Sequence, residues 1–296
     1  MVDLTKKGWQ WTLLMALAFI WGSSFILMKR GLETFSNYQV AGMRMFISFL
    51  VLLPIIIKSI NKLNKQNLKS ILLVAFIGNG FPALLYTTSQ LHLDSSMAGM
   101  LNSLTPIFTL IIGVVFYKSK VKFINIIGLF IGLIGAIGLF SSDISNFFSG
   151  NNWYALFAAL ATVFYGININ EVKAKLQDLD GITITALAFL FVGPVSGIFL
   201  AFTDFSTPLQ DPDFVQNLFY VALLAVFSSA LAVIGINILI KYTTPIFTSS
   251  VTYIIPIFAI MWGFLDGEDL HIIELFSIII VLLGIYLVNY KSKPKA

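Results

Sequence analysis

Apolar residues run along this chain in long, nearly unbroken stretches that short polar gaps separate. A helix needs about 20 apolar residues to cross the ~30 Å hydrocarbon layer of a membrane. Ten stretches of about this length can be read from the sequence: 9–28, 38–57, 70–90, 96–117, 121–140, 152–170, 181–202, 215–240, 245–265 and 271–290. Because they are continuously apolar and do not alternate, they predict membrane-spanning helices and not barrel strands.

The positive charges fall on one side of these segments. All but three of the 18 Lys and Arg residues lie before the first segment, after the last one, or in every second gap between segments. The exceptions are Lys29, Arg30 and Arg44. Cytoplasmic loops of membrane proteins are enriched in Lys and Arg. The sequence therefore predicts a multi-pass protein of the plasma (inner) membrane with both termini in the cytoplasm.

The composition agrees with a protein that lies almost wholly in the bilayer. Hydrophobic residues make up 58% of the 296 residues and charged residues 11%, whereas soluble domains are about 25% charged. The net charge of +4 is divided among separate loops, which suits anionic lipid and gives no indication of a nucleic-acid partner. The chain has no Cys, so a disulfide or thiolate metal site is excluded. We expect no metal and no cofactor.

The second half of the chain repeats features of the first. The triplet Pro106–Phe108 recurs as Pro256–Phe258 at an offset of 150 residues, and Trp21-Gly22 matches Tyr165-Gly166 at an offset of 144. We therefore predict two five-helix repeats, residues 1–145 and 146–296. Since five is odd, the second repeat must enter the membrane from the opposite side. Such inverted repeats are typical of secondary transporters that bind substrate near the membrane midplane.

These features resemble the EamA group of the drug/metabolite transporter superfamily. The resemblance lies in Ala18–Phe25, in Arg44 within Met43–Phe46, in the mid-segment prolines, and in Gly267-Glu268. In one place the chain departs from the family pattern, because Tyr117-Lys118 follows segment four where the family usually has Gly-Glu. The resemblance implies transport of small metabolites, often amino acids or toxic organic compounds, and often outward.

Embedded polar and aromatic side chains are the candidates for substrate binding, because such groups should face protein or water and not lipid. Each of them has an alternative interpretation, as an interhelical hydrogen bond or, for an aromatic ring, as part of an interfacial belt. The substrate-binding candidates are Trp21, Arg44, Asn79, Tyr86, Gln90, Asn102, Tyr165, Asn168, Asn237, Tyr253 and Trp262.

Arg44 is the only basic residue well inside a segment. It could extend outward to the membrane surface or bind the carbonyls of a neighbouring helix end. Alternatively it attracts a carboxylate, which would favour anionic or zwitterionic solutes over cations. All Asp and Glu residues lie in gaps or at segment ends, so a deeply buried acid as proton carrier is not expected.

Two glycines and two prolines are candidate gate or hinge positions. Gly22 and Gly166 follow the matched aromatic residues of segments one and six. Pro106 and Pro256 each lack a backbone N–H, and such breaks in matching helices of two repeats point to a transport site. The spacing Gly128-x3-Gly132 in segment five allows close helix packing, either within the monomer or in a homodimer through the 121–140 helix.

We predict a secondary transporter that moves a small metabolite, an amino acid or similar amphiphilic solute, by alternating access around a midplane cavity, with export as the direction that the resemblance favours. The alternative is a broad-specificity efflux protein for drugs or toxic compounds. A channel or a membrane-embedded enzyme is less favoured, because the only histidines, His92 and His271, lie at segment ends and no acid is embedded.

Overall fold

A computed structural model describes residues 4–93, 95–138, 153–265 and 272–288. These residues are mostly helical and form no β-strand. We label the helical segments in chain order: α1 (Lys7–Thr34), α2 (Asn37–Ser59), α3 (Leu68–Ser89), α4 (Ser95–Asn102 and Thr105–Tyr117), α5 (Phe123–Gly138), α6 (Tyr154–Lys175), α7 (Gly181–Ala201), α8 (Phe214–Tyr242), α9 (Pro245–Ser249 and Val251–Leu265) and α10 (Ile272–Val288).

Seven of these segments, α1 to α4 and α6 to α8, are long and apolar enough to span a membrane, and α5, α9 and α10 contribute shorter apolar helices. Large apolar side chains such as Phe116, Phe123 and Phe202 point outward and are at least 75% exposed, as expected for a surface that faces lipid. The prediction of an all-α membrane protein is confirmed. The number of ten spans stays a prediction.

The loops that carry the lysines meet at one end of the bundle. There Lys62 Nζ lies 3.1 Å from Asp180 Oδ2, and Lys241 Nζ donates to the Leu179 carbonyl at 2.6 Å. At the opposite end Gln39 Nε2 donates to the Asp204 carbonyl at 2.8 Å. We call these the lysine-rich end and the acidic end. The alternating direction of the helices therefore sorts the charges as the sequence pattern predicts.

Asp180 fixes the start of α7 at the lysine-rich end. Its side chain accepts from the Thr183 backbone N–H at 2.8 Å, as an N-cap residue does, and Lys62 pairs with it. Partial burial by itself would raise the pKa of Asp180, but the hydrogen bonds from Thr183 and Lys62 lower it to about 2. The carboxylate is therefore ionised at neutral pH and joins the end of α2 to the start of α7.

The helix contacts of the two halves of the chain match each other. If each segment is replaced by its counterpart five places along the chain, the same pairs of helices are in contact. Helix α2 packs on its own counterpart α7, and α5 packs on its counterpart α10. Helix α1 packs on α9 and α8, and its counterpart α6 packs on the counterparts of these two helices, α4 and α3. Helices α3 and α8 each contain a π-helical turn, Phe76–Gly80 and Leu224–Leu231. Such turns widen a helix locally and often occur at functional sites. The division into two five-helix repeats stays a prediction.

Helices α5 and α10 approach each other through glycine. A Cβ added to Gly284 would lie 2.4 Å from Gly132 N, and one added to Gly128 would lie 2.7 Å from the Gly284 carbonyl oxygen. Gly135 is equally close to the backbone of α10, at 2.6 Å from Val281 N. The glycine face of α5 therefore contacts α10 of the same chain. A homodimer through the 121–140 helix stays a prediction.

Candidate functional site

A cavity of about 100 Å³ lies in the middle of the bundle, between α1, α2, α3, α4, α6, α8 and α9. It is wide enough for several water molecules, since one needs about 10–15 Å³ measured in this way. The lining is mostly neutral and combines hydroxyl, amide and aromatic side chains with one arginine.

Much of the lining comes in pairs from the two halves of the chain. Every residue that α3 contributes has a partner on α8 at an offset of 150, and three residues of α1 have partners on α6 at an offset of 144. The pairs are Gly78/Ser228, Asn79/Ser229, Ala83/Val233 and Tyr86/Ile236, and then Trp21/Tyr165, Ser24/Asn168 and Phe25/Ile169. The cavity thus lies where the two predicted repeats meet.

Helix α2 breaks this pairing. It contributes Arg44 and Met45, whereas its counterpart α7 contributes no lining residue. Arg44 Nε donates to Ser229 Oγ at 3.1 Å, and Arg44 is the one charged side chain in the described lining. A permanent positive charge therefore enters an otherwise neutral cavity from one side.

Aromatic rings form one wall of the cavity. Tyr86 and Tyr165 are stacked, with centroids 6.1 Å apart and an angle of 19° between their planes, and Phe25 meets Tyr86 edge-on at 6.2 Å. Trp21 is fixed by a bond from its Nε1 to the Ser228 carbonyl at 3.1 Å. These rings offer a flat apolar surface to a solute.

Helices α4 and α9 are interrupted beside the cavity. The helix of α4 ends at Asn102 and restarts at Thr105, so Pro106 lies in the first turn of the second part and not in a helix interior as its position in the segment suggested. Pro256 lies inside the helix and leaves the Thr252 carbonyl without its usual partner. Ser103 Oγ donates to this carbonyl at 3.2 Å. The two breaks therefore contact each other.

The structure brings seven of the eleven predicted substrate-binding residues together at the cavity: Trp21, Arg44, Asn79, Tyr86, Asn102, Tyr165 and Asn168. The other four form contacts elsewhere. They are Gln90, with Nε2 3.5 Å from the Phe25 carbonyl; Asn237, bonded to Thr185 at 2.9 Å; Tyr253, bonded to the Leu129 carbonyl at 3.0 Å; and Trp262, bonded to Ser23 at 2.8 Å.

The two glycine candidates are both buried, and one of them lies at a close contact between helices. A Cβ on Gly166 would lie 3.0 Å from Phe108 C and Thr109 N, so α6 touches the backbone of α4 there. Gly22 is buried in α1.

Several lining residues were not singled out from the sequence, among them Ser24, Thr105, Ser249 and Thr252. A signal for two of them existed. Ser24 stands 144 residues before Asn168, and Thr252 stands 150 residues after Asn102. Applying the offset between the two halves to Asn168 and Asn102 would therefore have pointed to both residues.

A second cavity of about 400 Å³ opens at the lysine-rich end, lined by Lys120, Lys122 and Lys173 among others. On α4 it reaches Thr109, one helical turn from the Thr105 of the central cavity. Asn170 Nδ2 donates to the Thr109 carbonyl at 2.9 Å and to the Gly166 carbonyl at 2.8 Å. The contact of α4 with α6 thus lies between the two cavities.

Comparison with known proteins agrees with this architecture. Residues 9–141 and 152–290 each match the EamA-like transporter family. The chain belongs to this family. The resemblance read from the sequence is therefore confirmed, and the chain is a multi-pass membrane transporter.

Relatives and a solved structure cover nearly the whole EamA-like chain. The inner membrane transporter YedA of Escherichia coli K12 is 27% identical over 95% of this chain and 92% of its own length. The S-adenosylmethionine/S-adenosylhomocysteine transporter of Chlamydia muridarum is 26% identical over 93% of this chain and 90% of its own. One crystal structure superposes with a TM-score of 0.74 at 12% identity, over 96% of this chain and 97% of the other, which shows a shared fold.

The structure shows how the chain closes the corner where it departs from the EamA pattern. The Tyr117 hydroxyl donates to Glu171 Oε2 at 2.5 Å, and the Ser70 hydroxyl donates to Glu171 Oε1 at 2.5 Å. Glu171 lies in α6, which continues to Lys175. One carboxylate therefore joins α3, α4 and α6 at the lysine-rich end.

We expect Tyr117→Phe and Ser70→Ala each to destabilise the protein by about 1.5–3 kcal/mol, the usual contribution of a hydrogen bond to a charged group. Thermal unfolding of the purified protein measures this. With Glu171→Gln as background, each hydroxyl removal should cost clearly less, because the acceptor has lost its charge. Equal costs in both backgrounds would show that the bonds to Glu171 do not stabilise this corner.

Proposed function

We propose that this EamA-like protein is a secondary transporter that moves a small amphiphilic metabolite, such as an amino acid, out of the cell across the inner membrane by alternating access. The paired lining of the central cavity carries this proposal. Two oppositely oriented repeats that enclose one site can exchange their conformations and thereby turn an inward-open site into an outward-open one. Both termini would lie in the cytoplasm, together with the lysine-rich end.

The contacts on either side of the cavity suit such an exchange. On one side α6 touches α4, where Asn170 binds the Thr109 carbonyl at 2.9 Å. On the other side α1 touches α9, where Trp262 Nε1 donates to Ser23 Oγ at 2.8 Å. We propose that the first contact is the gate toward the lysine-rich end and the second the gate toward the acidic end.

The chemistry of the lining favours a solute with polar and apolar parts. Hydroxyls, amides and rings suit an amino acid or a similar metabolite. One relative is named as a transporter of S-adenosylmethionine, which itself contains an amino-acid group. The alternative is broad-specificity efflux, for which the aromatic wall of Tyr86 and Tyr165 would serve. Among these solutes Arg44 favours those that carry a carboxylate.

Counterflow in proteoliposomes tests the proposal. The purified protein is reconstituted with an unlabelled amino acid inside, labelled amino acid is added outside, and a panel of amino acids is compared with and without a pH gradient. Alternating access predicts that internal solute accelerates uptake of the external label. Uptake that is rapid and insensitive to internal solute would indicate a channel, and absence of uptake across the panel would exclude amino-acid transport.

A further inference from the structure

The cavity at the lysine-rich end carries a concentrated positive charge. Lys120, Lys122 and Lys173 line it, and no Asp or Glu is among the lining residues that the structure describes. The first two lysines belong to the connection between α4 and α5 and are exposed, whereas Lys173 belongs to α6 and is half-buried. Like charges around one cavity repel each other, and a bound anion would offset this repulsion.

Two acids at this end of the bundle have other partners. The Glu171 carboxylate accepts hydrogen bonds from the hydroxyls of Tyr117 and Ser70. The Asp180 carboxylate pairs with Lys62 and caps the start of α7. Neither acid lines the cavity. Both carboxylates are therefore engaged away from the lysines that line it.

The end of α8 holds the ammonium group of Lys173 in place. Lys173 Nζ donates to the carbonyls of Ile240 at 2.9 Å and Lys241 at 3.0 Å. An ammonium group has three N–H donors, and no described residue accepts the third one. The side chain of Lys241 adds a further positive charge nearby and donates to the Leu179 carbonyl at 2.6 Å. Lys173 is thus fixed by two carbonyls and keeps one donor for a ligand in the cavity.

The cavity has the size and the lining of a ligand site. Its volume of about 400 Å³ lies within the roughly 300–1,000 Å³ of small-molecule pockets. It lies between two helix pairs, α4 with α6 and α5 with α10, and the start of α9 closes it. Ser119 and Thr244 add hydroxyls to the lining, and Thr244 Oγ accepts from the Phe247 N–H, so its own O–H can still donate. Basic pockets between membrane helices on the cytoplasmic side bind the phosphate-containing head groups of lipids.

We propose that this cavity binds a phosphate monoester, held by the ammonium groups of Lys120, Lys122 and Lys173 and by the hydroxyls of Ser119 and Thr244. Such a group presents three acceptor oxygens and nearly two negative charges at neutral pH, which suits three ammonium groups better than a single carboxylate does. Two sources present it at an end that the sequence predicts to face the cytoplasm: the head group of an anionic lipid and a soluble phosphorylated metabolite. The site is separate from the central cavity, so the proposal does not depend on which solute is transported.

Thermal unfolding of the purified full-length protein in neutral detergent tests the site. Glycerol phosphate is the soluble probe with glycerol as its neutral match, and phosphatidic acid is the lipid probe with diacylglycerol as its neutral match. Wild type should be stabilised by a phosphate probe and by neither neutral match. Stabilisation by glycerol phosphate identifies a soluble ligand, and stabilisation by phosphatidic acid alone identifies a lipid. If neither phosphate probe stabilises the protein more than its neutral match does, the proposal is overturned.

Two double variants with the same loss of charge locate the binding. Lys120→Gln/Lys122→Gln removes two exposed lysines of the cavity, and Lys65→Gln/Lys69→Gln removes two exposed lysines of the same end that do not line it. The first variant should weaken the affinity for the stabilising phosphate probe by about tenfold or more, because hydrogen bonds between charged groups are lost. The second should keep the affinity within about twofold, since salt screens charges that do not touch the ligand. Equal weakening in both variants would indicate a general attraction to a positive surface and would overturn the proposal.

Discussion

Gly284→Ala should lower the Tm of the protein by about 5 °C. The added Cβ would lie 2.4 Å from Gly132 N and 2.5 Å from Gly132 Cα, and backbone atoms cannot rotate away as a side chain can. Overpacking typically costs about 1–3 kcal/mol and sometimes more, and about 3 kcal/mol shifts the Tm of a chain of this size by several degrees. Thermal unfolding in detergent, followed by loss of the monodisperse peak, measures the effect.

Two other glycines provide the controls for this prediction. Gly8 has no heavy atom within 4 Å of the added Cβ, so Gly8→Ala should leave the Tm unchanged or slightly higher. At Gly138 the nearest atom is the hydroxyl of Ser277, a side chain that can turn away, so Gly138→Ala should cost less than Gly284→Ala. If Gly284→Ala and Gly8→Ala unfold at the same temperature, the close approach of α5 and α10 is not as described.

Trp21→Ala and Tyr165→Ala should each reduce counterflow by about tenfold or more. The two rings occupy matching positions in α1 and α6 and both line the central cavity. Trp21→Ala removes the hydrogen bond from the indole N–H to the Ser228 carbonyl, and Tyr165→Ala removes the stacking on Tyr86. Aromatic contacts of this kind contribute about 0.5–1.5 kcal/mol beyond the area they bury. Initial rates of trans-stimulated uptake measure the effect.

Exposed aromatic residues serve as matched controls. Trp153 is 67% exposed and Tyr286 is 58% exposed, so Trp153→Ala and Tyr286→Ala should transport at rates close to wild type when protein amounts are equal. Trp21→Phe keeps a ring but loses the N–H donor and should be intermediate. Wild-type counterflow in both Trp21→Ala and Tyr165→Ala would refute the idea that these rings form the substrate path.

The central cavity shows how far a sequence pattern leads and where it stops. Trp21 and Tyr165 could be paired from their offset alone, and both line the cavity. Asn237 looked equally suitable but donates to Thr185 between α8 and α7. A residue's depth in the membrane follows from its place in the apolar segment, whereas the neighbour that it faces depends on how each helix is rotated about its axis.

The ends of the segments show a similar division. Tyr117-Lys118 could be recognised as a departure from the family pattern, but the residue that closes this corner, Glu171, lies 54 positions away on another helix. Likewise the glycines of α5 indicated close packing, yet only the fold shows that α10 of the same chain fills that face. Such contacts join residues on different helices, and no regular interval in the sequence relates one residue to the other.

The sequence by itself determined that this chain is a bundle of membrane helices, because lipid requires long apolar helices. It also determined at which end the lysines gather, because membrane insertion keeps lysines on one side. In addition it showed that the two halves of the chain share features. Only the tertiary structure decided that Arg44 enters the central cavity without a counterpart, and that α7, the partner of α2, stays out of it. The physical reason is that a helix that is apolar on every side can lie in lipid at any rotation about its own axis. The side of each helix that faces a cavity is set by packing against several neighbours at once.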